Sequence, residues 1–180
     1  MQQELIDVLN ENGVATGEVV TRADVHKRGL WHRAVICAVI DPNNRVLLQQ
    51  RALNKDKFPG LWDISVAAHV LANEMPMSTV MREFNEEIGM QIGRNVSAKD
   101  FFFLSSFRNQ MSIGDNLIEN QFYDLFVYNL DVVVKFKFND AEVANTKWAA
   151  YSDILKLKTD EKFHPRKEWI APILKRISML

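Results

Sequence analysis

A single cysteine, Cys37, stands among 180 residues, so no disulfide can close within the chain, and a reducing compartment, the cytoplasm, is the expected setting. Neither sign of charge is in excess. The 22 Lys and Arg against 23 Asp and Glu leave a formal net charge of −1, which supplies no basic field for a nucleic acid. No nucleic-acid partner is expected. Long apolar runs are missing as well: stretches such as residues 34–40 fall far below the ~20 residues that span a bilayer, so no membrane partner is expected. The opening MQQELIDVLNENG has no basic segment followed by an apolar one, and no secretory signal is expected in it. No internal repeat and no Gly/Ser-rich linker interrupts the chain, so one domain over residues 1–180, as a monomer or homodimer, is the expected organisation. What the chain does have is 47% hydrophobic and 25% charged residues, the balance of a folded core rather than of disorder.

Two turn signals mark hairpins. Asn12-Gly13 separates Leu5–Leu9 from residues 14–20, and Asp41-Pro42-Asn43-Asn44 separates residues 34–40 from 46–50. Residues 34–40, AVICAVI, are apolar on both faces, as a central strand covered by helices on each side is, and Cys37 reads as a small core residue within it. From residue 76 to 88 the period changes. Val80, Phe84 and Ile88 recur every fourth residue, Pro76 fits a first helical turn, and Gly89 fits a helix end. Strands are expected over 101–107, 122–130 and 132–138, and a short helix over 152–157. A C-terminal helix carries Trp169, Ile173 and Ile177, with Pro172 kinking it or marking its start. The fold class is α/β (α+β), one mixed β-sheet between helices.

The chemistry concentrates in Arg82-Glu83-Phe84-Asn85-Glu86-Glu87-Ile88-Gly89. On a helix, Glu83, Glu86 and Glu87 project from one side while Phe84 and Ile88 turn to the core. Like charges at these spacings cost roughly 0.2–0.5 kcal/mol per pair in water, and more when desolvated, so a counter-charge is called for. Oxygen ligands alone suit Mg2+ or Mn2+, which keep several waters and bridge to phosphates. A solvated acidic helix face carries the same three glutamates, so the surrounding positions must decide. Glu74 stands seven residues before Arg82, Arg82 directly precedes the cluster, Gly89 follows it, and Met90 follows the glycine.

That arrangement, residues 68–90, resembles the Nudix box, G-x5-E-x7-R-E-U-x-E-E-x-G-U with U aliphatic, departing at the first glycine, here Ala68, and loosely at Phe84. The resemblance implies a Nudix-like α/β/α sandwich and hydrolysis of a nucleoside diphosphate linked to a second group. It assigns Glu83, Glu86 and Glu87 to Mg2+ (or Mn2+), Arg82 to orienting a box glutamate, and Glu86 and Glu83 to the catalytic carboxylates; Glu74 matches the box's first glutamate. Water then attacks one phosphorus while the metal lowers its pKa and a carboxylate takes the proton. The expected partner is a small nucleotide or related diphosphate.

Outside the box, the chain resembles the Nudix branch most like isopentenyl diphosphate isomerase. The resemblance runs through Gly29-Leu30-Trp31-His32-Arg33-Ala34, Leu47-Leu48-Gln49-Gln50-Arg51, Phe58-Pro59-Gly60-Leu61-Trp62 and Glu119-Asn120-Gln121-Phe122. It implies that Arg51 and Lys55 contact diphosphate, and that His26, His32 and His69, with Glu119 and Gln121, stand near a possible second metal site. Against that site stands Gln121, a poor ligand for a hard cation, and three structural histidines are the competing reading. The isomerase carries a catalytic cysteine where Ala67 stands and a catalytic glutamate where Gln121 stands, and neither alanine nor an amide transfers protons, so isomerase activity is rejected while the fold is kept. Glu119, on the same strand face as Gln121, is the candidate to replace the missing carboxylate. Ala68 is strained if its φ is positive, whereas Asn73, at a position usually glycine, tolerates such a φ. The alternative function is a catalytically weakened nucleotide-binding module. Trp31 and Trp62 are either base-stacking rings or core.

Overall fold

The computed structural model describes residues 3–55, 57–87, 96–113, 117–132, 143–157, 159, 162–165 and 167–178; of Glu87, Ile113, Leu117 and Ile177 it describes the backbone alone. The elements run β1 (Leu5–Leu9), β2 (Ala15–Thr21), α1 (Arg22–Arg28), β3 (Trp31–Ile40), β4 (Val46–Arg51), β5 (Trp62–Ile64), β6 (Val66–His69) and α2 (Pro76–Glu87), followed by β7 (Phe101–Ile113), β8 (Leu117–Asn129), β9 (Val143–Ala149), α3 (Tyr151–Lys156) and α4 (Ile170–Ile177).

Both expected hairpins form, for local reasons. The Asn10 side chain accepts from the backbone N–H of Asn12 and Val14 and leads into Gly13 at φ 78°. In the second turn, Asp41 accepts from the N–H groups of Asn43 and Arg45 and from the Arg45 guanidinium, with Asn44 at φ 58°. These side-chain turns are the bonds that Asn and Asp offer in place of a ladder. The Arg45 bonds outweigh the burial that opposes them and lower the Asp41 pKa.

β3 is the centre of the sheet, as its double-faced apolarity predicts. It runs parallel to β8 over its whole length, from Trp31↔Asn120 to Ile40↔Asn129, and antiparallel to β6 and to the ends of β1 and β4. Its side chains divide by period two. Ala34, Ile36, Ala38 and Ile40 join Leu125, Val127, Trp169, Ile170 and Ile173 on one face, while Val35, Cys37 and Val39 join Val80, Phe84, Phe101 and Tyr128 on the other. Helix α2 covers the second face and α3 with α4 cover the first, a mixed sheet between helices. Burial pushes the Cys37 thiol pKa up, so it stays a protonated core group.

Several expected boundaries move. The third and fourth long strands extend to Ile113 and back to Leu117, past the apolar stretches, because the β7–β8 ladder continues through polar pairs such as Asn109↔Gln121 and Gln110↔Asn120. Pro172 lies in the first turn of α4, where a missing N–H costs nothing, so it marks a start rather than a kink. The expected strand over 132–138 falls, beyond residue 132, outside the described residues, as do Ile88, Gly89 and Met90. Four of these elements, α1, β5, β6 and β9, were not expected, and two of them, α1 and β6, build the site.

Candidate active site and metal centre

Strand β6 positions the site. Among the described residues it pairs with β3 alone, in the register Ala34↔His69 and Ile36↔Ala67, so its outer edge lies open. A cleft of about 450 Å³ crosses that edge. Arg51, Lys55 and Arg22 contribute to its lining, as do Ala67, Ala68 and His69 of β6 and Arg82, Glu83 and Glu86 of α2. Cations and carboxylates far apart in sequence thus share one cavity.

Arg82 organises the acidic side of the cleft. Its Nε and Nη2 donate to the two carboxylate oxygens of Glu74 at 3.1 and 3.0 Å, Nη1 donates to Glu83 at 2.5 Å, and Glu86 lies 3.7 Å from the same nitrogen. A fork held by one carboxylate aims at a second. Burial raises the Glu74 pKa, yet the bonds from Arg82 outweigh it and hold that carboxyl below its ordinary range. Glu83 goes the other way: burial, helped by the charges of Glu86 and Glu4, raises its pKa against the pull of Arg82. A half-buried carboxylate with a raised pKa is a site short of positive charge, and a cation would supply it. Glu86 is 61% exposed at its side chain and reaches the open cleft. Glu87 belongs to α2, but its side chain lies outside the described residues.

On the basic side, Arg51 serves two purposes: it lines the cleft, and its Nε donates to the Lys57 carbonyl at 3.1 Å, pinning the loop between β4 and β5. Ala68 is free of strain, since the non-glycine residues with positive φ among those described are Asn44, Phe58 and Asn73. Asn73, at φ 63°, takes the left-handed turn ahead of Glu74, and Asp7 accepts its N–H.

Behind β6 lies a second cluster. One ligand atom each from His26, His32 and His69 lies within 4.8 Å of the others, with ring centroids 5.1 to 5.2 Å apart. His26 comes from α1, a helix whose N-terminus is capped by Thr21 accepting from the Asp24 N–H and whose end is Gly29 in the left-handed conformation. His32 and His69 follow from the β3 register, and β8 sets Gln121 opposite His32. His32 Nδ1 donates to the Leu30 carbonyl at 3.0 Å, so its Nε2 carries the lone pair, and that lone pair faces the Gln121 amide nitrogen at 3.0 Å. The same amide nitrogen is 3.3 Å from His69 Nε2, while Tyr123 donates its hydroxyl to Gln121 Oε1. Glu119 completes the wall, its Oε1 3.0 Å from Lys57 Nζ and 4.0 Å from His26 Nδ1.

All three rings are held neutral. Burial, then the charge of Lys57 and of His32, lowers the His26 pKa to about 4 against Glu119. Burial also lowers His32 to about 4 and takes His69 well below its ordinary value. Neutral imidazole is the ligand form. Both ring nitrogens of His26 are buried without a hydrogen-bond partner, a costly arrangement that a bound cation would relieve. The histidine donors therefore fit a divalent ion.

The NUDIX domain model matches residues 30–171, well over half of the chain. The chain belongs to the Nudix family. Among curated relatives, Nudix hydrolase 3 of Arabidopsis thaliana is 31% identical over 157 residues; the match covers 85% of this chain but 20% of that protein, so the Nudix chain studied spans about a fifth of this relative's length. The isopentenyl-diphosphate Delta-isomerase of Dinoroseobacter shibae is 32% identical over 148 residues, covering 82% of this chain and 78% of that one. In fold, the chain is similar to a crystal structure from Deinococcus radiodurans, with TM-score 0.71, 20% identity, and coverage of 93% and 98%. These findings agree with a Nudix chain in the isomerase-like branch. At the two positions that the branch comparison turned on, Ala67 and Gln121 both face a small cavity of about 90 Å³ with His69, Glu119 and Tyr123.

Lys57, Tyr123, Asp63 and His164 line this small cavity, and sequence reasoning passed over all four. Lys57 had one available signal, its place two residues after Lys55 in the same loop. His164 and Asp63 come together through the β5 pairing, since the His164 N–H donates to the Trp62 carbonyl at 2.7 Å. Trp31 is core: it is buried against Phe122 with Arg108 over its face at 4.1 Å. Trp62 is partly buried, and Lys147 sits 4.2 Å over its ring.

Proposed function

We propose that this Nudix chain hydrolyses the pyrophosphate bond of a small nucleotide or related diphosphate with Mg2+ or Mn2+ as cofactor. One observation carries the reading: Arg51 and Lys55 share a single cleft with Glu83, Glu86 and Arg82. Basic groups suit phosphate oxygens, and clustered carboxylates suit a hard cation. Glu83, Glu86 and Glu87 are the proposed metal ligands. When bound, the ion neutralises phosphate oxygens and lowers the pKa of water.

The chain's own residues do the rest. Arg51 and Lys55 hold the diphosphate, the first as a fork and the second as a point charge. Arg82, braced by Glu74, fixes Glu83 and keeps Glu86 beside it. Glu86, the most exposed of these carboxylates, takes the proton of the attacking water; Glu119 is the second candidate for that task. A P–O bond forms to the water oxygen, the bridging P–O bond breaks, and two phosphate products leave. Ala67 and Gln121 supply no proton-transfer group, which is why an alkene isomerisation is not proposed.

Among the described residues no helix is long and apolar enough to cross a membrane, and a cytoplasmic setting is part of the proposal. The test is a panel of nucleoside di- and triphosphates, dinucleotides, ADP-ribose and isopentenyl diphosphate, each with Mg2+. New phosphate products, reduced at least about 100-fold by Glu86→Gln, are expected. No turnover on any member, with tight nucleotide binding, establishes the binding module instead. Conversion of isopentenyl diphosphate to its isomer overturns the reading.

A further inference from the structure

The histidine cluster has a resident cation. Lys57 Nζ lies 3.0 Å from Glu119 Oε1, and that same oxygen is the one turned toward His26 Nδ1, at 4.0 Å. An ion drawn to the three rings would seek Glu119 as its anionic ligand, and would find Oε1 already paired. The pairing is built rather than accidental. Phe58, the next residue, is held at φ 51°, a conformation that bulky side chains rarely adopt, with its ring against His164 at 4.4 Å. The Arg51 guanidinium holds the Lys57 carbonyl, and the Gly60 N–H donates back to the Arg51 carbonyl. Strain and hydrogen bonds together fix where the lysine enters.

We infer that Lys57 is an internal competitor for the metal: its ammonium occupies the Glu119 carboxylate in the metal-free protein, and a divalent ion binds the histidine cluster by displacing it. This rests on the reading of His26, His32 and His69 as metal ligands. Lys57 side-chain exposure is 24% against 8% for Glu119, so the ammonium has a way out to solvent while the carboxylate stays. Gln121 offers the second half of the rearrangement. Its amide nitrogen caps the lone pairs of His32 and His69, and a half-turn of that amide would turn Oε1 toward the rings in place of the N–H groups, with Tyr123 able to accept where it now donates. Both changes are local, and both must be undone for the ion to leave. The cost of displacing a charge-assisted pair is subtracted from metal affinity, so the cluster favours ions that bind imidazole strongly over magnesium.

The experiment is a Co2+ titration of the EDTA-treated 180-residue chain at pH 8, followed by the visible absorption that nitrogen ligation intensifies. His69→Ala serves as the control that removes the histidine-linked signal, leaving any binding at the Glu83 and Glu86 side unaltered. Lys57→Met and Lys57→Gln are each expected to tighten the histidine-linked Co2+ affinity at least tenfold, and Lys57→Arg to stay within about threefold of wild type. A merely structural lysine gives the opposite sign, since its loss loosens the site. Equal or weaker affinity in both neutral variants therefore overturns the inference while leaving the metal site standing. Absence of any histidine-linked signal in wild type and in the neutral variants overturns the metal reading beneath it.

Discussion

Acid should unfold this protein earlier than its carboxylates alone would dictate, and the histidine cluster is the reason. In the unfolded chain His26 and His32 take protons near the ordinary 6.5, whereas burial in the fold holds both to about 4. Between those values the unfolded state carries protons that the native state refuses. Stability is therefore fully present above pH 6.5 and is lost as the pH falls toward 4. From pH 7 to pH 5 each of these two histidines costs about 2 kcal/mol, and His69, lowered by burial, acts in the same direction. Against a total of 5–15 kcal/mol for a typical domain, a loss of about 4 kcal/mol from His26 and His32 is a large fraction. The assay is urea unfolding of the EDTA-treated protein, read by tryptophan fluorescence at half-unit steps from pH 7.5 to 4.5. The slope near pH 5.5 should be about two protons or more, and His26→Gln should remove about one of them. A flat profile between pH 7 and 5, or an unchanged slope in His26→Gln, refutes the reasoning.

Three further outcomes test the scaffold. Arg82→Lys replaces a fork bonded to both oxygens of Glu74 by a point charge, and should cost about 1–3 kcal/mol in urea melts while lowering kcat on any substrate found. Phe84→Ala removes a fully buried ring packed against Phe101 and Tyr128 and should cost about 3–5 kcal/mol by thermal or chemical denaturation. Asp41→Asn keeps the shape of the β3–β4 turn but removes the charge that Arg45 pairs with, and should cost about 1–3 kcal/mol at pH 7. Since the Asp41 pKa is lowered in the fold, that difference should shrink as the pH falls below about 4.

The parts legible in the sequence are those where a physical signal is strong and local. AVICAVI announced a strand buried on both faces, and β3 divides its residues between two cores. Val80 and Phe84 announced α2, and both are wholly buried. Helix α1 went unread because RADVHKR has Ala23 and Val25, two positions apart, as its apolar residues and no stripe to reveal it; its evidence lies in caps, Thr21 before it and Gly29 after it. β5 and β6, at 3 and 4 residues, are too short to show a period, and tertiary pairing with β3 and β4 creates them. For the site, the acidic residues were legible because a helix fixes their spacing, while Lys57 was not, because its meaning depends on Glu119 sixty-two positions away.

Charge in the cleft follows from the same geometry and constrains the order of events. Among its lining residues the carboxylates of Glu4, Glu83 and Glu86 meet the cations of Arg22, Arg51, Lys55 and Arg82, so the walls balance to within one charge. Arg82 and Arg22 are spoken for, the first by Glu74 and Glu83 and the second by Glu4 at 3.1 Å. On the proposed reading a diphosphate would meet Arg51 and Lys55 on one wall and Glu83 and Glu86 on the other, drawn by the first pair and repelled by the second. A divalent ion at the carboxylates removes the repulsion and adds attraction at the same place. On the proposed reading, metal should therefore raise substrate affinity as well as turnover, and by linkage the substrate should raise affinity for the metal by the same factor. On the same reading the near-zero net charge of the chain should strengthen this coupling, since no surplus basic field exists to draw the anion in without the ion.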